Sequence, residues 1–545
     1  MPEPAVIPDP IADSEPAVHE RHSRLPSIGR LRAAGARSPR GAAIGWTRAA
    51  VAGVLAAATV LGVGHLVAAL IDPASSPFFV LGATMVDHTP HQLKDAAIRR
   101  FGSHDKQALF ASMAAVMVLG AVVAGVLERR RPLGSVLLVA LGGVVVVAAL
   151  QRPTAGAWFA VPAVAGVVAG VAVLRVLVAG RPSFRRPETG VSRRRFLVSA
   201  ASVGALALGA AALGQTLATR LRDVTADRAR FLLPRPVRTA PAVTARVAPS
   251  VPGLTSFVTP NDRFYRVDTA LQLPALTSGD WRLRIHGMVD RPVEFDFDRL
   301  RLRSAVESLM TLTCVSNEVG GELAGTARWL GYPLADLLAE AGPHPDADLL
   351  LSRSVDGFTA GTPLSAVTDG RDALLAVGMN GEPLPVAHGY PARLIVPGLY
   401  GYVSATKWVV DLEVTRFDRA RAYWTQRGWS DRGPIKTASR IDVPAAFTTV
   451  DAGEVIVAGV AWAQHRGIAS VELQVDDGPW QPAELAAEYS TDTWRQWVWR
   501  WQASTGTHTV RVRAVDGTGA LQEEARTTPF PNGATGWHNR VITVR

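Results

Sequence analysis

The segment Leu309-Met310-Thr311-Leu312-Thr313-Cys314-Val315-Ser316-Asn317 holds the only cysteine in a chain of 545 residues. Its alternation of leucine with threonine reads as a buried strand, and Val315-Ser316-Asn317 reads as the loop it runs into. The strand delivers a thiol to a loop. A lone thiol forms no intramolecular disulfide. On spacing alone it fits a small buried hydrophobe better than a metal ligand, because a metal site normally shows partner ligands nearby. The rest of the chain shifts that balance.

Hydrophobic residues make up 48 % of the chain and charged residues 19 %. That mixture implies a membrane part joined to an ordinary globular part, and the length suits two or three domains of about 100–200 residues. The formal charge is +10, but the excess is uneven. Arg21, Arg24, Arg30, Arg32, Arg37 and Arg40 crowd a basic tail over residues 1–45, and further arginines flank apolar stretches. Basic loops beside membrane helices account for this pattern, so no nucleic-acid partner is expected.

Within residues 46–217, five apolar stretches approach the ~20 residues needed to span a bilayer. They run about Trp46–Ile71, Gln107–Leu127, Leu133–Leu150, Trp158–Ala179 and Phe196–Leu217. The tail, Arg129-Arg130-Arg131 and the loop from Arg181 to Arg195 are basic. The loops Asp72–Lys106 and Gln151–Ala157 are less basic for their length or very short. The expectation is a multi-pass cell-membrane protein in contact with lipid, its N-terminus cytoplasmic and its C-terminal half exported.

The fifth stretch opens on Ser192-Arg193-Arg194-Arg195-Phe196-Leu197 and continues rich in Ala and Gly. This resembles a twin-arginine export signal over residues 192–197. Proteins using that route fold before crossing, commonly around a cofactor inserted in the cytoplasm. Ala210-Ala211-Ala212 is a weak cleavage candidate, and retention as an anchor is the expectation.

Residues 218–256 are rich in Pro, Arg and Ala, and read as a semi-extended tether. Residues 257–435 mix strand and helix. Trp281–Gly287 alternates as a strand, Ala335–Ala341 reads as a short helix closed by Gly342, and Arg393–Pro397 as another strand. Residues 436–545 read as strands only: Val455–Ala463, Ile468–Val475, Trp494–Trp501 and His508–Val515, with turns at Asp477-Gly478 and Asp516-Gly517. Trp497, Trp499 and Trp501 share one strand face. Such a run of short strands reads as a β-sandwich.

From about Phe257 onward the chain resembles the sulfite oxidase family of molybdopterin enzymes. The resemblance rests on Thr259-Pro260-Asn261-Asp262-Arg263-Phe264-Tyr265-Arg266, on Thr311–Asn317 followed by Trp329–Leu338, on Met379–Pro385, and on His388–Arg393, Val396–Gly401 and Lys407-Trp408. It covers somewhat more than half the chain. It implies an α+β molybdopterin domain over 257–435 and an immunoglobulin-like β-sandwich over 436–545 that pairs two chains. By family position Cys314 would be the one protein sulfur on molybdenum, the pterin dithiolene supplying two more. A soft thiolate suits such a metal. His388, Arg393, Ala405, Thr406 and Lys407 would grip the phosphate and pterin edge, with Asn261, Tyr265, Arg266 and Ser354 as further contacts. Guanidinium and ammonium groups are what an anionic pterin needs.

Three departures bear on the substrate. Pro260 stands where sulfite oxidases carry an arginine, Phe358 takes the place of the active-site tyrosine, and Ser316–Gly321 lacks the usual Gly-Asn-Arg-Arg pattern. Losing a guanidinium removes a charge-assisted bond worth about 1.5–3 kcal/mol, so sulfite should bind poorly unless Arg263 or Arg328 substitutes. Oxygen-atom transfer moves two electrons, which implies a separate cytochrome or quinone-linked partner. The chain has no Cys-x-x-Cys-His for c-type haem. Intrinsic b-type haem is not expected either, because His65 alone lies clearly inside a stretch while His88, His91 and His104 belong to a loop. The resulting expectation is a membrane-anchored, molybdopterin-dependent oxidoreductase exchanging an oxygen atom with a small substrate such as a sulfoxide. The alternatives are sulfite oxidation proper and a cofactor-free envelope protein for binding or adhesion.

Overall fold

The structure, a computed structural model, describes residues 39–89, 105–129, 131–152, 155–179, 193–221 and 223–545. The chain divides into two compact units, Met1–Thr47 and Arg48–Arg545, and of the first only the start of a helix is described. Arg21, Arg24, Arg30, Arg32, Arg37, Arg130, the loop 180–192 including Ser192, His91 and His104 lie outside the described residues.

The N-terminal helices are α1 (Pro39–Ile71), α2 (Pro77–His88), α3 (Asp105–Glu128), α4 (Leu133–Leu150), α5 (Val161–Ala179) and α6 (Arg193–Leu221). All but α2 are long and apolar enough to cross a membrane. Small residues let two of them touch backbone to backbone. A Cβ on Gly53 of α1 would fall 1.9 Å from the Ala121 carbonyl oxygen of α3, and one on Gly125 would fall 1.9 Å from that of Ala49. Glu128 accepts from the backbone N–H and hydroxyl of Ser135, both at 2.7 Å, so its carboxylate satisfies the first turn of α4.

Helix α2 corrects the reading of Asp72–Lys106 as a plain loop. Pro77 suits a first turn, and Phe78–Val86 is apolar enough to continue it. Its 12 residues reach only about 18 Å at ~1.5 Å per residue, too short for a span.

Residues 223–256, read from composition as a semi-extended tether, are docked along the body that follows. Helix α7 (Val224–Arg230) is capped by Asp223, whose side chain accepts from the Ala226 N–H at 2.9 Å. Arg228 donates to the carbonyls of Pro383 at 2.6 Å and Leu384 at 2.8 Å. Phe231 packs edge-on against Phe297 with ring centroids 4.9 Å apart, and Pro236–Arg238 pairs in parallel with Ala305–Thr313. Such a stretch cannot make a core of its own, but it inserts single apolar residues into a neighbour's.

That neighbour is built on two sheets. One runs in the order Pro236–Arg238, Ala305–Thr313, Ala324–Pro333, Leu374–Met379, Arg393–Ile395. The other runs Val293–Phe295, Leu283–Gly287, Val409–Thr415, Leu349–Ser354, Thr359–Pro363. Trp281, Phe295, Trp329, Tyr332 and Tyr390 fill their common core. After Lys436 the chain forms strands only, as expected. A four-stranded and a five-stranded sheet share a core that includes Trp497, Trp499 and Trp501 from Arg495–Ala503 and Val510 and Val512 from Gly506–Asp516. A third cluster joins the two regions: Phe257, Leu309, Val315 and Tyr400 pack with Val460, Trp462 and Trp494.

Candidate active site

Cys314 follows the last residue of the strand Ala305–Thr313, which is flanked on both edges and buried along most of its length. A tight turn fixes the thiol there. The Cys314 N–H donates to the Leu323 carbonyl at 2.9 Å, and the Asn317 N–H donates to the Cys314 carbonyl at 3.1 Å. The Asn317 side chain accepts from the Leu323 N–H at 2.8 Å and closes the loop. The C-terminal sheets latch the strand from outside. Gln464 donates to the Thr311 carbonyl at 3.1 Å and to the Thr313 hydroxyl at 2.9 Å, and the Trp494 N–H donates to the Thr311 hydroxyl at 2.7 Å. Burial raises the thiol's proton affinity, partly opposed by hydrogen bonds from Ser316. A neutral thiol is the resting form until a cation or metal stabilises the thiolate.

Three cationic or imidazole groups share the thiol's pocket. Arg393 is buried, and donates through Nη1 to the His388 carbonyl at 3.0 Å and through Nη2 to the Ala405 carbonyl at 3.3 Å. Its Nε is buried without a partner, and burial lowers its pKa to about 10. Lys407 Nζ donates to Asp268 at 2.7 Å and to the Ala387 carbonyl at 3.1 Å. Burial brings its pKa down to about 8, Asp268 opposing the fall. His388 is held neutral, its pKa lowered to about 4 by burial and then by the charge of Arg393. Gly389, at φ +111, lets the backbone pass between Arg393 and Lys407, since a Cβ there would come within 3.0–3.1 Å of theirs. Trp408 sits at φ +50, uncommon for a bulky residue, with its indole N–H on the Val386 carbonyl at 3.0 Å.

Of the ten residues singled out in the sequence, Tyr265, Cys314, Ser354, His388, Arg393, Ala405 and Lys407 line this one pocket. Three do not. The Asn261 amide is engaged with Glu382 and Asn380, while its backbone carbonyl meets His388 Nε2 at 3.2 Å. Arg266 Nε donates to Asp268 at 2.8 Å. The Thr406 hydroxyl turns to Ser352 at 2.7 Å. No sequence signal points to Asp268, the carboxylate between two cations, nor to Trp424 and Trp429 on the same wall. Phe358 lines the pocket, but neither Arg263 nor Arg328 does. Arg328 donates to Glu307 and to the Ala240 carbonyl, each at 2.9 Å.

A partnerless guanidinium nitrogen, an ammonium and a single sulfur fit an anionic organic group carrying a soft metal. Residues 270–424 match the family of the oxidoreductase molybdopterin binding domain. The mitochondrial sulfite oxidase of Rattus norvegicus is 31 % identical over 292 residues, covering 45 % of this chain and 53 % of its own. The chain thus spans about half the length of the curated sulfite oxidases it matches. The uncharacterized oxidoreductase YuiH of Bacillus subtilis (strain 168) is 30 % identical over 173 residues, 29 % of this chain and 82 % of its own. Among solved structures, the sulfane dehydrogenase SoxCD from Paracoccus pantotrophus aligns with a TM-score of 0.47 at 23 % identity, covering 53 % of this chain and 84 % of that one. With YuiH matched over most of its length, the chain belongs to the sulfite oxidase-like family of molybdopterin-binding oxidoreductases.

Proposed function

We propose that this protein is a membrane-anchored molybdopterin-dependent oxidoreductase that exchanges an oxygen atom with a small substrate such as a sulfoxide, outside the cytoplasm. One observation carries the reading: the lone thiol shares a buried pocket with Arg393, whose Nε has no partner, and with Lys407. In this reading Cys314 binds the metal, Arg393 and Lys407 bind the anionic end of the pterin, and neutral His388 hydrogen-bonds its edge. Tyr265, Ser354 and Ala405 shape the remaining wall, Asn261 supports it from behind through His388 and Thr406 through Ser352, and Arg266 steadies Asp268. The bound group would supply two-electron oxygen-atom exchange. The residues bind, orient and keep water from the thiol.

Sulfite suits this pocket poorly, because Pro260 offers no charge and the Arg328 guanidinium is committed to Glu307. We place residues 1–45 in the cytoplasm and residues from 218 onward outside, exported through the arginine motif at 192–197. We assign residues 436–545 an immunoglobulin-like fold that pairs two chains, and electron exchange to a separate partner with no intrinsic haem. Full-length protein from a host that makes the cofactor should carry about one molybdenum per chain. Cys314→Ser should abolish dye-linked turnover while the C-terminal sheets stay folded by circular dichroism. A folded, metal-free wild-type protein from such a host refutes the reading.

A further inference from the structure

A second cavity lies where the helices meet the cofactor domain. It measures about 1190 Å³, beyond the ~300–1,000 Å³ of ordinary ligand pockets and far larger than a small oxygenated substrate needs. Apolar residues come from both sides, with Phe79, Val80 and Ala83 of α2, Phe159 ahead of α5, and Leu271 and Leu273 of the domain. Polar groups from both sides meet at Asp87 of α2. Tyr423 donates its hydroxyl to Asp87 at 2.9 Å, and Arg152 pairs with the other oxygen of that carboxylate at 2.7 Å. The Arg427 guanidinium lies 3.5 Å from the centroid of the Tyr423 ring. Gln215 of α6 also faces the cavity and meets His65 Nε2 at 3.3 Å, inside the membrane-crossing part.

Only single side chains separate this cavity from the thiol pocket. Thr269, Asp356 and Phe358 line both. Aromatic rings continue the connection. Tyr423 stands 5.7 Å from Phe358 and 5.1 Å from Trp424, and Trp424 stands 6.2 Å from Trp429. Trp424 and Trp429 are on the wall of the thiol pocket.

We propose that this cavity is a quinone site: a membrane-dissolved quinone or hydroquinone enters between the helices, its ring against Tyr423 and Arg427 and its isoprenoid tail along α2. The proposal rests on the oxidoreductase reading and names the redox partner of that same site. Three features select this class of ligand. The ring needs hydrogen-bonding groups: a guanidinium has five N–H donors, so Arg152 and Arg427 can serve a quinone carbonyl as well as Asp87, and the Tyr423 oxygen, whose own proton goes to Asp87, can accept from a hydroquinone O–H. The tail needs an apolar wall reachable from the bilayer. The electron count also matches, since hydroquinone plus an oxygenated substrate gives quinone, deoxygenated substrate and water, with two electrons and two protons passing between them. A phospholipid headgroup fits less well, because Arg152 and Arg427 already face the Asp87 carboxylate.

The test uses the full-length protein in detergent and a photoreactive azido-quinone with a short isoprenoid tail. One saturable site per chain is expected, with cross-links in peptides spanning 77–88 and 421–427. Ala83→Trp should fill the apolar wall and abolish saturable labelling. Tyr423→Phe, which removes one hydroxyl, should weaken binding about fivefold. Protein from a host lacking the cofactor should label equally, because the cavity belongs to the chain itself. Unsaturable labelling spread over the helices overturns the proposal, as does labelling indifferent to both substitutions or a co-purifying phospholipid that the quinone fails to displace. Molybdenum content is measured on the same samples. Metal without quinone binding sinks this inference alone, and quinone binding without metal sinks the oxidoreductase reading alone.

Discussion

Asp268 shows how much of a pocket depends on a residue that touches no ligand in the proposed scheme. Its carboxylate is almost fully buried and receives Lys407 at 2.7 Å and Arg266 at 2.8 Å. Removing one partner of a buried ion pair strands the other, at a cost of about 3–5 kcal/mol. Asp268→Ala should therefore lower the unfolding free energy by about 3 kcal/mol at pH 7, measured by urea denaturation. Lys407 can relieve the cost by losing its proton. Its pKa is already down at about 8 from an ordinary 10.5, and without Asp268 it falls further. The unfolded chain then binds more protons over a wider window, so the variant gains more stability than the parent between pH 7 and pH 9. The deficit should shrink with rising pH. A deficit unchanged at pH 9 places the loss elsewhere.

The element that holds the thiol is the loop 314–323, and it is clamped by the last strand of the chain. His538 opens that strand and lies against Gly320, where φ is +80 and a Cβ would fall 2.3 Å from the ring. The ring's Nδ1 accepts the Ile441 N–H at 3.0 Å, so this nitrogen carries no proton. Burial first, then Arg540 and Arg440, lowers its pKa from 6.5 to about 4. Between those values the unfolded chain binds the extra proton and the folded chain does not. Stability contributed by neutral His538 is complete above pH 6.5 and is lost as pH falls through 4, by about 3 kcal/mol at most. His538→Gln keeps an acceptor without titrating, so its stability-against-pH curve should run flatter than the parent's across that window. Parallel curves would remove His538 from the clamp. Little of this clamp is legible in the sequence. The strand at Leu309–Thr313 and the loop after it follow from local alternation, and so do the strands after Lys436. What the pattern cannot carry is partnership across long separations, as between His538 and Gly320 or Gln464 and Thr311. Helix α2 escapes the pattern for a different reason: at 12 residues, ending on Asp87-His88, it falls below the length that marks a span, and its loop context hides its helical period.

At the scale of the whole molecule, the cofactor domain and the C-terminal sheets form one packed body rather than two beads. The cluster at their seam takes buried residues from both, and the Trp494 indole N–H donates to the Phe257 carbonyl at 3.0 Å. Arg440 crosses as well, giving one N–H to the Gly321 carbonyl at 2.8 Å and another to the Thr255 hydroxyl at 2.9 Å. The composition announced a membrane part and a globular part, and the four family motifs located the pocket, yet neither could reveal this seam, since its residues lie far apart in the sequence. The lone cysteine makes it measurable. Cys314 is buried, and it lies behind bonds from Gln464 and Trp494. Its reaction with a thiol reagent too bulky to enter the pocket therefore requires the cysteine strand to come loose from the C-terminal sheets. In cofactor-free protein, the urea midpoint for thiol exposure should coincide with the midpoint for tryptophan fluorescence, as one cooperative transition demands. Gln464→Leu removes both donor bonds to the cysteine strand at similar volume, and should move the two midpoints down together. A thiol that reacts well before the fluorescence changes would mean that the loop opens alone, and that the sheets cover the pocket without holding it.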